Sequence, residues 1–235
     1  MYSEAFCRVY NLLGWNYFPE AFGKELLRWL ESRGAKPVDC LDLACGTGVL
    51  CEVLLYAGMR PMGVDLSRGM IDVARRRCPE IEYAVGDMVT FRPERRFDLV
   101  TCTGDALNHV LDPEDVARVF GNALAALSPG GWFVFDLLGE GEIPGEEPFE
   151  LDFSETIKAR FRVTRDGDGF ISLRTEVFED GAFAFEEVIR ERLYDPRVIC
   201  DALRRAGFEV VQCDNRLLPD SAPGATWYIA ARRPV

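Results

Sequence analysis

From Val38 onward the chain alternates short apolar runs with amphipathic stretches, and the first of those runs closes on Asp42-Leu43-Ala44-Cys45-Gly46-Thr47-Gly48. Short runs bounded by turn residues read as buried strands, and apolar residues at helical spacing fill the stretches between them. Strands are expected over 38–43, 61–65, 81–85, 97–102 and 131–138, with helices near 47–57, 67–77 and 113–127. Such alternation requires crossover connections, so the sheet is parallel and covered on both faces. Local punctuation agrees: Ser67 can cap the second of these helices, Asp112-Pro113 opens the third, and Gly130-Gly131 closes it.

Two helices precede the first strand. Ser3 caps one with Phe6, Val9, Tyr10 and Leu13 on one side; Pro19 opens another with Phe22, Leu26, Trp29 and Leu30 inward and Gly34 ending it. After Leu138 the alternation stops. A stretch over 139–148 rich in Gly, Glu and Pro leads to three alternating segments near 150–166, 170–179 and 183–193. Asp166-Gly167-Asp168-Gly169 and Asp180-Gly181 separate them, which is hairpin chemistry. A helix over 196–206 and strands near 208–214 and 226–232 follow. The expected class is α/β: a Rossmann-like, doubly wound, seven-stranded sheet with its last strand antiparallel, two N-terminal helices and a small antiparallel β insertion. Residues 1–35 would be a helical lid, 36–148 with 195–235 the core, and 149–194 the insertion, a substrate cover or a dimer contact.

An open α/β sheet binds ligands at the carboxyl ends of its strands where the strand order reverses, next to the turn after the first strand. Here that turn holds Gly46 and Gly48, but Val49, Leu50 and Cys51 follow, so the third glycine of a dinucleotide fingerprint is missing. Asp42 puts a carboxylate into an otherwise apolar run, where a cationic amino-acid group would satisfy it better than a phosphate. Asp65 ends the second strand and can take both hydroxyls of a ribose; Gly86-Asp87-Met88 after the third can meet a base edge.

The net charge of −12 opposes polyphosphate partners, since nucleic-acid affinity rests on Lys and Arg neutralising phosphates. Arg75-Arg76-Arg77 and Arg95-Arg96 read as cations at a helix end and on a solvated turn. Nothing approaches eighteen uninterrupted apolar residues, so no membrane span is expected, and Met1-Tyr2-Ser3-Glu4 lacks the pattern of a signal peptide. A cytoplasmic location is expected. Eight cysteines form no C-x-x-C pair, which argues against disulfides and against a bound metal.

These features together resemble the class I S-adenosylmethionine-dependent methyltransferase superfamily, over about residues 36–138 for the motifs and nearly the whole chain for the architecture. The resemblance implies S-adenosylmethionine as cofactor and S-adenosylhomocysteine as product. It implies that Asp42, Ala44, Cys45, Gly46 and Gly48 hold the methionine part, Asp65 and Leu66 the ribose, and Gly86, Asp87 and Met88 the adenine. Met70, Thr103 and Gly104 complete the set, the last two lying beside Cys102 in the segment that passes near the methyl. The insertion is similar to that of small-molecule enzymes such as glycine and amino-sugar N-methyltransferases. The segment Thr101-Cys102-Thr103-Gly104-Asp105 lacks the Asn/Asp-Pro-Pro-Tyr and Pro-Cys signatures of other branches, and Cys102 reads as a core strand residue.

Methyl transfer to an amine asks only that the nitrogen be unprotonated, whereas a hydroxyl asks for a base. His109 is the one histidine, four residues after Asp105, so a helical turn would let that carboxylate orient the ring. His109 and Tyr10 are the catalytic candidates; Tyr17, Asp105 and Asn108 are candidates for binding the acceptor. Phe161, Phe170, Phe183, Phe185 and Tyr194 either line a pocket or stack strand on strand. The expected activity is methyl transfer to a nitrogen or oxygen of a small metabolite, by a monomer or homodimer. An RNA- or protein-modifying methyltransferase and a non-catalytic S-adenosylmethionine-binding regulator or scaffold are the alternatives.

Overall fold

The computed structural model describes residues 2–139, 143, 145, 147–217 and 226–235. The chain starts with α1 (Glu4–Val9) and α2 (Tyr17–Ser32). The alternating segment folds as β1 (Asp39–Leu43), α3 (Val49–Tyr56), β2 (Arg60–Asp65), α4 (Arg68–Arg77), β3 (Glu82–Val85), β4 (Phe97–Cys102), α5 (Pro113–Ala126) and β5 (Leu127–Leu137). Then come β6 (Phe149–Asp152), β7 (Ile157–Asp166), β8 (Phe170–Glu179) and β9 (Ala182–Arg192), followed by α6 (Pro196–Ala206), β10 (Glu209–Asp214) and β11 (Trp227–Arg232).

Seven strands form one sheet in the order β10-β11-β5-β4-β1-β2-β3. β1, β2, β3, β4 and β5 pair in parallel, and β11 runs antiparallel to both β5 and β10. The order reverses between β1 and β4, because the chain winds outward through β2 and β3 and then returns to the other side of β1. That reversal leaves a crevice beyond the ends of β1 and β4.

Alternate strand residues feed two apolar layers. Leu41, Val100, Phe133, Phe135 and Ile229 face α5 and α6, where Phe120, Ala123, Ile199 and Leu203 meet them. Cys40, Leu99, Val134 and Ala230 face α2 and α3, meeting Phe22, Leu26, Trp29, Leu30, Leu50 and Leu54. α2 is therefore a layer of the core, held there by the apolar stripe that its sequence periodicity announces.

Close packing at β2 uses Gly63, where a Cβ would stand 2.6 Å from the Tyr83 ring and 2.8 Å from the Cys45 sulfur. Gly63→Ala is expected to cost about 1–3 kcal/mol through overpacking, lowering Tm by roughly 2–10 °C. A thermal melt showing no change would mean that β2 and β3 do not pack this way.

Three boundaries differ from the sequence expectation. α1 stops at Val9 rather than reaching Leu13, because the chain turns through Gly14 at φ +79 and brings Trp15 back against Phe6 and Tyr10. β5 starts at Leu127, directly after α5, because Leu127 already pairs with Phe97; Gly130 and Gly131 lie within the strand rather than closing the helix. The insertion has four strands in the order β6-β7-β8-β9, since Ser154 accepts a hydrogen bond from the Ile157 N–H and turns the chain between β6 and β7.

α1 lies between the two sheets. Phe6, Val9 and Leu13 pack on Ala159, Phe161, Val177 and Ile189 of the second sheet, and the Ser3 hydroxyl donates to Glu187 at 2.6 Å. On the other side Cys7 reaches Ser67 at the start of α4, at 3.4 Å. The Asn108 amide joins the sheets again, donating to the Arg192 carbonyl at 2.8 Å and accepting from the Leu138 N–H at 3.0 Å.

Candidate active site

The turn after β1 is built by left-handed backbone, with φ +55 at Ala44, +54 at Gly46 and +78 at Gly48. A Cβ at Gly48 would stand 2.5 Å from the Tyr83 hydroxyl, so glycine is required there. At Gly46 a Cβ would meet nothing within 4 Å: the main chain faces open space, a cradle for a ligand. The end of β2 holds this turn, since Asp65 accepts from the Gly46 N–H at 2.9 Å and from the Ser67 N–H at 2.8 Å. The segment after α1 reaches it too, where the Thr47 hydroxyl donates to the Asn11 side chain at 2.8 Å.

Two adjoining cavities of about 410 and 270 Å³ occupy the crevice and share Tyr2, Tyr10, Ala44, Gly46, Thr103, Gly104 and His109. Asp65, Leu66 and Met88 line the larger; Asp42, Cys45, Asp105 and Glu191 line the smaller. Tyr17 is 71 % exposed at the start of α2 and is not on either wall. Asn108 is fully buried with its amide committed to Arg192 and Leu138, so it braces the site from behind. Gly48, Met70, Gly86 and Asp87 stand off the walls of both cavities, Met70 because it is buried in the core and Asp87 because it turns back to accept from the Val89 N–H.

Asp42 is almost fully buried, accepting from the Thr101 hydroxyl at 2.6 Å and lying 3.6 Å from the Cys51 sulfur. Burial raises its carboxyl to about 6. Burial also raises Asp65, against the opposing pull of its two main-chain donors. Asp136, at the end of β5, accepts from the N–H groups of Gly104 and Asp105 at 2.8 and 3.0 Å. It thereby fixes Gly104 and Asp105 in left-handed conformation at φ +74 and +58. Burial drives its own carboxyl well up, and the nearby charge of Asp105 adds to this.

His109 ends a short 3-10 turn over Ala106–His109, and the carboxylate that reaches its ring is Glu191 of β9 rather than Asp105. The His109 Nε2 lies 3.4 Å from Glu191 Oε1 and 3.2 Å from the Tyr2 hydroxyl. Asp105 precedes the turn in left-handed backbone, which removes the helical spacing that would have paired it with His109. Burial lowers His109 to about 4 and raises Glu191 to about 8, the Asp105 charge adding to the latter. Tyr10, well buried, is raised far above the ordinary phenol value by burial and by the carboxylates around it.

Glu191 is raised, so its contribution to stability is full below the ordinary carboxylate range and is lost as pH rises through about 8. Glu191→Gln is neutral at every pH and is expected to raise Tm by several degrees at alkaline pH, from a gain on the order of 1–3 kcal/mol, with the difference vanishing in mild acid. Melting curves of both proteins across pH check this; a gap that does not depend on pH contradicts it.

Of the insertion aromatics, Phe161 faces a cavity beneath the second sheet. Phe170 instead stacks under Arg190 and Arg192, Phe183 is 60 % exposed, Phe185 packs with the α1 cluster, and the Tyr194 hydroxyl donates to the Val110 carbonyl. Sequence reasoning missed Tyr2, Glu191 and Asp136. Glu187 and Glu191 alternate with Ile189 on the inward face of β9, and Asp136 interrupts the apolar run of β5, so inward carboxylates were the available signal.

A cationic amino-acid ligand suits this site: among the described residues the smaller cavity is lined by Asp42, Asp105 and Glu191 and by no Lys or Arg. Among the described residues no three His, Cys, Asp or Glu side chains are grouped to hold a metal ion.

Residues 40–131 match a family described as a methyltransferase domain. The chain is 27 % identical over 150 residues to a dTDP-4-amino-2,3,4,6-tetradeoxy-D-glucose N,N-dimethyltransferase of Saccharopolyspora spinosa, covering 61 % of this chain and 59 % of that one. It is 36 % identical over 118 residues to a ubiquinone biosynthesis O-methyltransferase of Coxiella burnetii, covering 48 % and 49 %. The matched region thus spans between half and three fifths of these relatives. A solved S-adenosylmethionine-dependent methyltransferase from Clostridium acetobutylicum shares the fold with a TM-score of 0.81 at 23 % identity, covering 91 % of each chain. Residues 40–131 thus match a methyltransferase domain, and by its sheet order and its Gly-rich turn the chain is similar to the class I S-adenosylmethionine-dependent methyltransferases.

Proposed function

We propose that this protein transfers the methyl group of S-adenosylmethionine to a nitrogen or oxygen of a small metabolite. The observation that carries this reading is the acidic, glycine-cradled crevice between β1 and β4, roofed by α1 and the second sheet. When bound, the cofactor supplies an electrophilic methyl on a positively charged sulfur.

Asp42 with the Ala44–Gly48 turn takes the amino-acid end, Asp65 with Leu66 the ribose, and Met88 one side of the base. Met70, Gly86 and Asp87 act from behind, shaping the turns that carry these groups. Thr103 and Gly104 border the reacting end, where His109 and Tyr10 face the acceptor. Holding the acceptor and the methyl group in line, away from water, supplies the larger part of such a rate enhancement. The His109–Glu191 pair can take the proton that the acceptor releases. Asp105 faces the acceptor from the other side.

Of the expected lid over residues 1–35 only 2–15 roof this crevice, because α2 packs in the core instead, and the insertion 149–194 acts as a substrate cover. The eight free cysteines fit a reducing compartment such as the cytoplasm. Among the described residues no helix is long and apolar enough to cross a membrane.

Labelled S-adenosylmethionine incubated with a metabolite panel, with RNA and with protein tests the reading. Label is expected in small molecules only. Label confined to RNA or protein would contradict it, as would binding without transfer to anything.

A further inference from the structure

A third cavity, of about 290 Å³, lies beneath the antiparallel sheet and shares Trp15, Asp105 and Glu191 with the smaller cavity of the crevice. It therefore continues the crevice away from the Gly-rich turn. Apart from the two carboxylates its wall is apolar among the described residues, with Phe161 and Val163 from β7 and Leu173 from β8 among its sides. No Lys or Arg lines it among the described residues.

We propose that the acceptor is a small primary or secondary amine borne on an apolar ring, with the ring in this third cavity and the nitrogen at the Asp105–Glu191 neck. The proposal rests on the methyltransferase reading above. Three features select that chemistry. A ring buried against Trp15, Phe161, Val163 and Leu173 gains roughly 25 cal/mol for each Å² taken from water. Hydroxyls spread over a sugar would meet few partners there, and a buried polar group without a hydrogen bond is costly. A diphosphate would be desolvated with no cation to meet it and with two carboxylates at the entrance. The volume sits at the lower edge of the ~300–1,000 Å³ range of ligand pockets, which limits the acceptor to a small body.

At the neck, Glu191 and Asp105 attract the amine, and the His109 ring lies beside Glu191. The bound ammonium first gives one proton to water, which frees the lone pair; transfer then forms one N–CH3 bond from it and breaks one S–CH3 bond, whose electron pair returns to sulfur. The nitrogen then carries the positive charge and releases one proton, to the His109–Glu191 pair or to water.

The test uses phenethylamine, phenethyl alcohol and the nucleotide-linked amine TDP-4-amino-4,6-dideoxyglucose with the full chain. Binding is followed by calorimetry on the S-adenosylhomocysteine complex, and turnover by label transfer. Phenethylamine is expected to bind and to be methylated with kcat/KM at least about tenfold above either comparator. Leu173→Lys is expected to lower kcat/KM for phenethylamine at least about tenfold by setting a charge in the apolar wall, while S-adenosylhomocysteine affinity stays within about twofold. Preferential methylation of the nucleotide-linked amine overturns the proposal and leaves the methyltransferase reading standing. So does cofactor binding with transfer to the alcohol alone. Failure to bind S-adenosylmethionine or S-adenosylhomocysteine at all overturns the underlying reading, and the proposal with it.

Discussion

Replacing Asp65 by alanine is expected to weaken S-adenosylmethionine binding at least about 100-fold. The carboxylate stands at the carboxyl end of β2, on the wall of the 410 Å³ cavity, beside the Gly-rich turn. A carboxylate that accepts from both hydroxyls of a ribose makes two charge-assisted hydrogen bonds, and such bonds contribute about 1.5–3 kcal/mol each. Losing both corresponds to at least about 3 kcal/mol, or more than two powers of ten in Kd. Asp65 also accepts from the Gly46 and Ser67 N–H groups, so the turn itself loosens when the side chain is cut back. Calorimetry paired with a melting curve separates the two contributions. Asp65→Asn keeps an acceptor for the turn and is expected to lie between the native protein and Asp65→Ala in affinity. An affinity within about threefold of native in Asp65→Ala would remove the ribose role, since a single charged hydrogen bond already exceeds that.

The second large effect is expected at Asp136, a residue that touches neither cavity. Its two oxygens accept from the N–H groups of Gly104 and Asp105, which sit in left-handed backbone between β4 and the turn bearing His109. Asp136→Ala leaves both donors without that acceptor, at about 1–3 kcal/mol each, offset in part by removing a buried carboxyl group. Asp105, a non-glycine residue at φ +58, then has less to hold it in that conformation. Methyl transfer is expected to fall on the order of 100-fold, as follows when reacting groups are displaced by about an ångström. Asp136 acts as a positioning residue, so kcat should drop much more than S-adenosylmethionine affinity. Equal losses in both would mean that Asp136 supports the whole fold rather than this segment.

The core was legible because each of its features has a local cause. Alternation of apolar runs with amphipathic helices dictates a parallel sheet, and Asp112-Pro113 and Asp195-Pro196 cap α5 and α6 with side chains that accept from Glu114 and Arg197. The Gly-rich turn was legible for the same reason, since left-handed backbone at Gly46 and Gly48 needs glycine. The acceptor side was harder to read because it is assembled from distant segments. Glu191 meets His109 only because the insertion folds back over the core, and Tyr2 meets it only because α1 lies between the sheets. The Asp105–His109 pairing failed on one backbone angle, and Asn108 proved to be a brace because both ends of its amide found main-chain partners. Tyr17 could not be separated from Tyr10 by residue type; what separates them is the turn at Gly14, which leaves one ring exposed and the other in the crevice.

The crevice between β1 and β4 is expected to hold S-adenosylmethionine. Calorimetric titration of the native chain with that compound, alongside ATP and NAD as nucleotides of opposite charge, tests it most directly. One site per chain with micromolar affinity for S-adenosylmethionine, and no heat from ATP or NAD, is the result expected from an acidic cavity lined by Asp42, Asp105 and Glu191. Absence of binding at millimolar S-adenosylmethionine, or tighter binding of NAD, would contradict it.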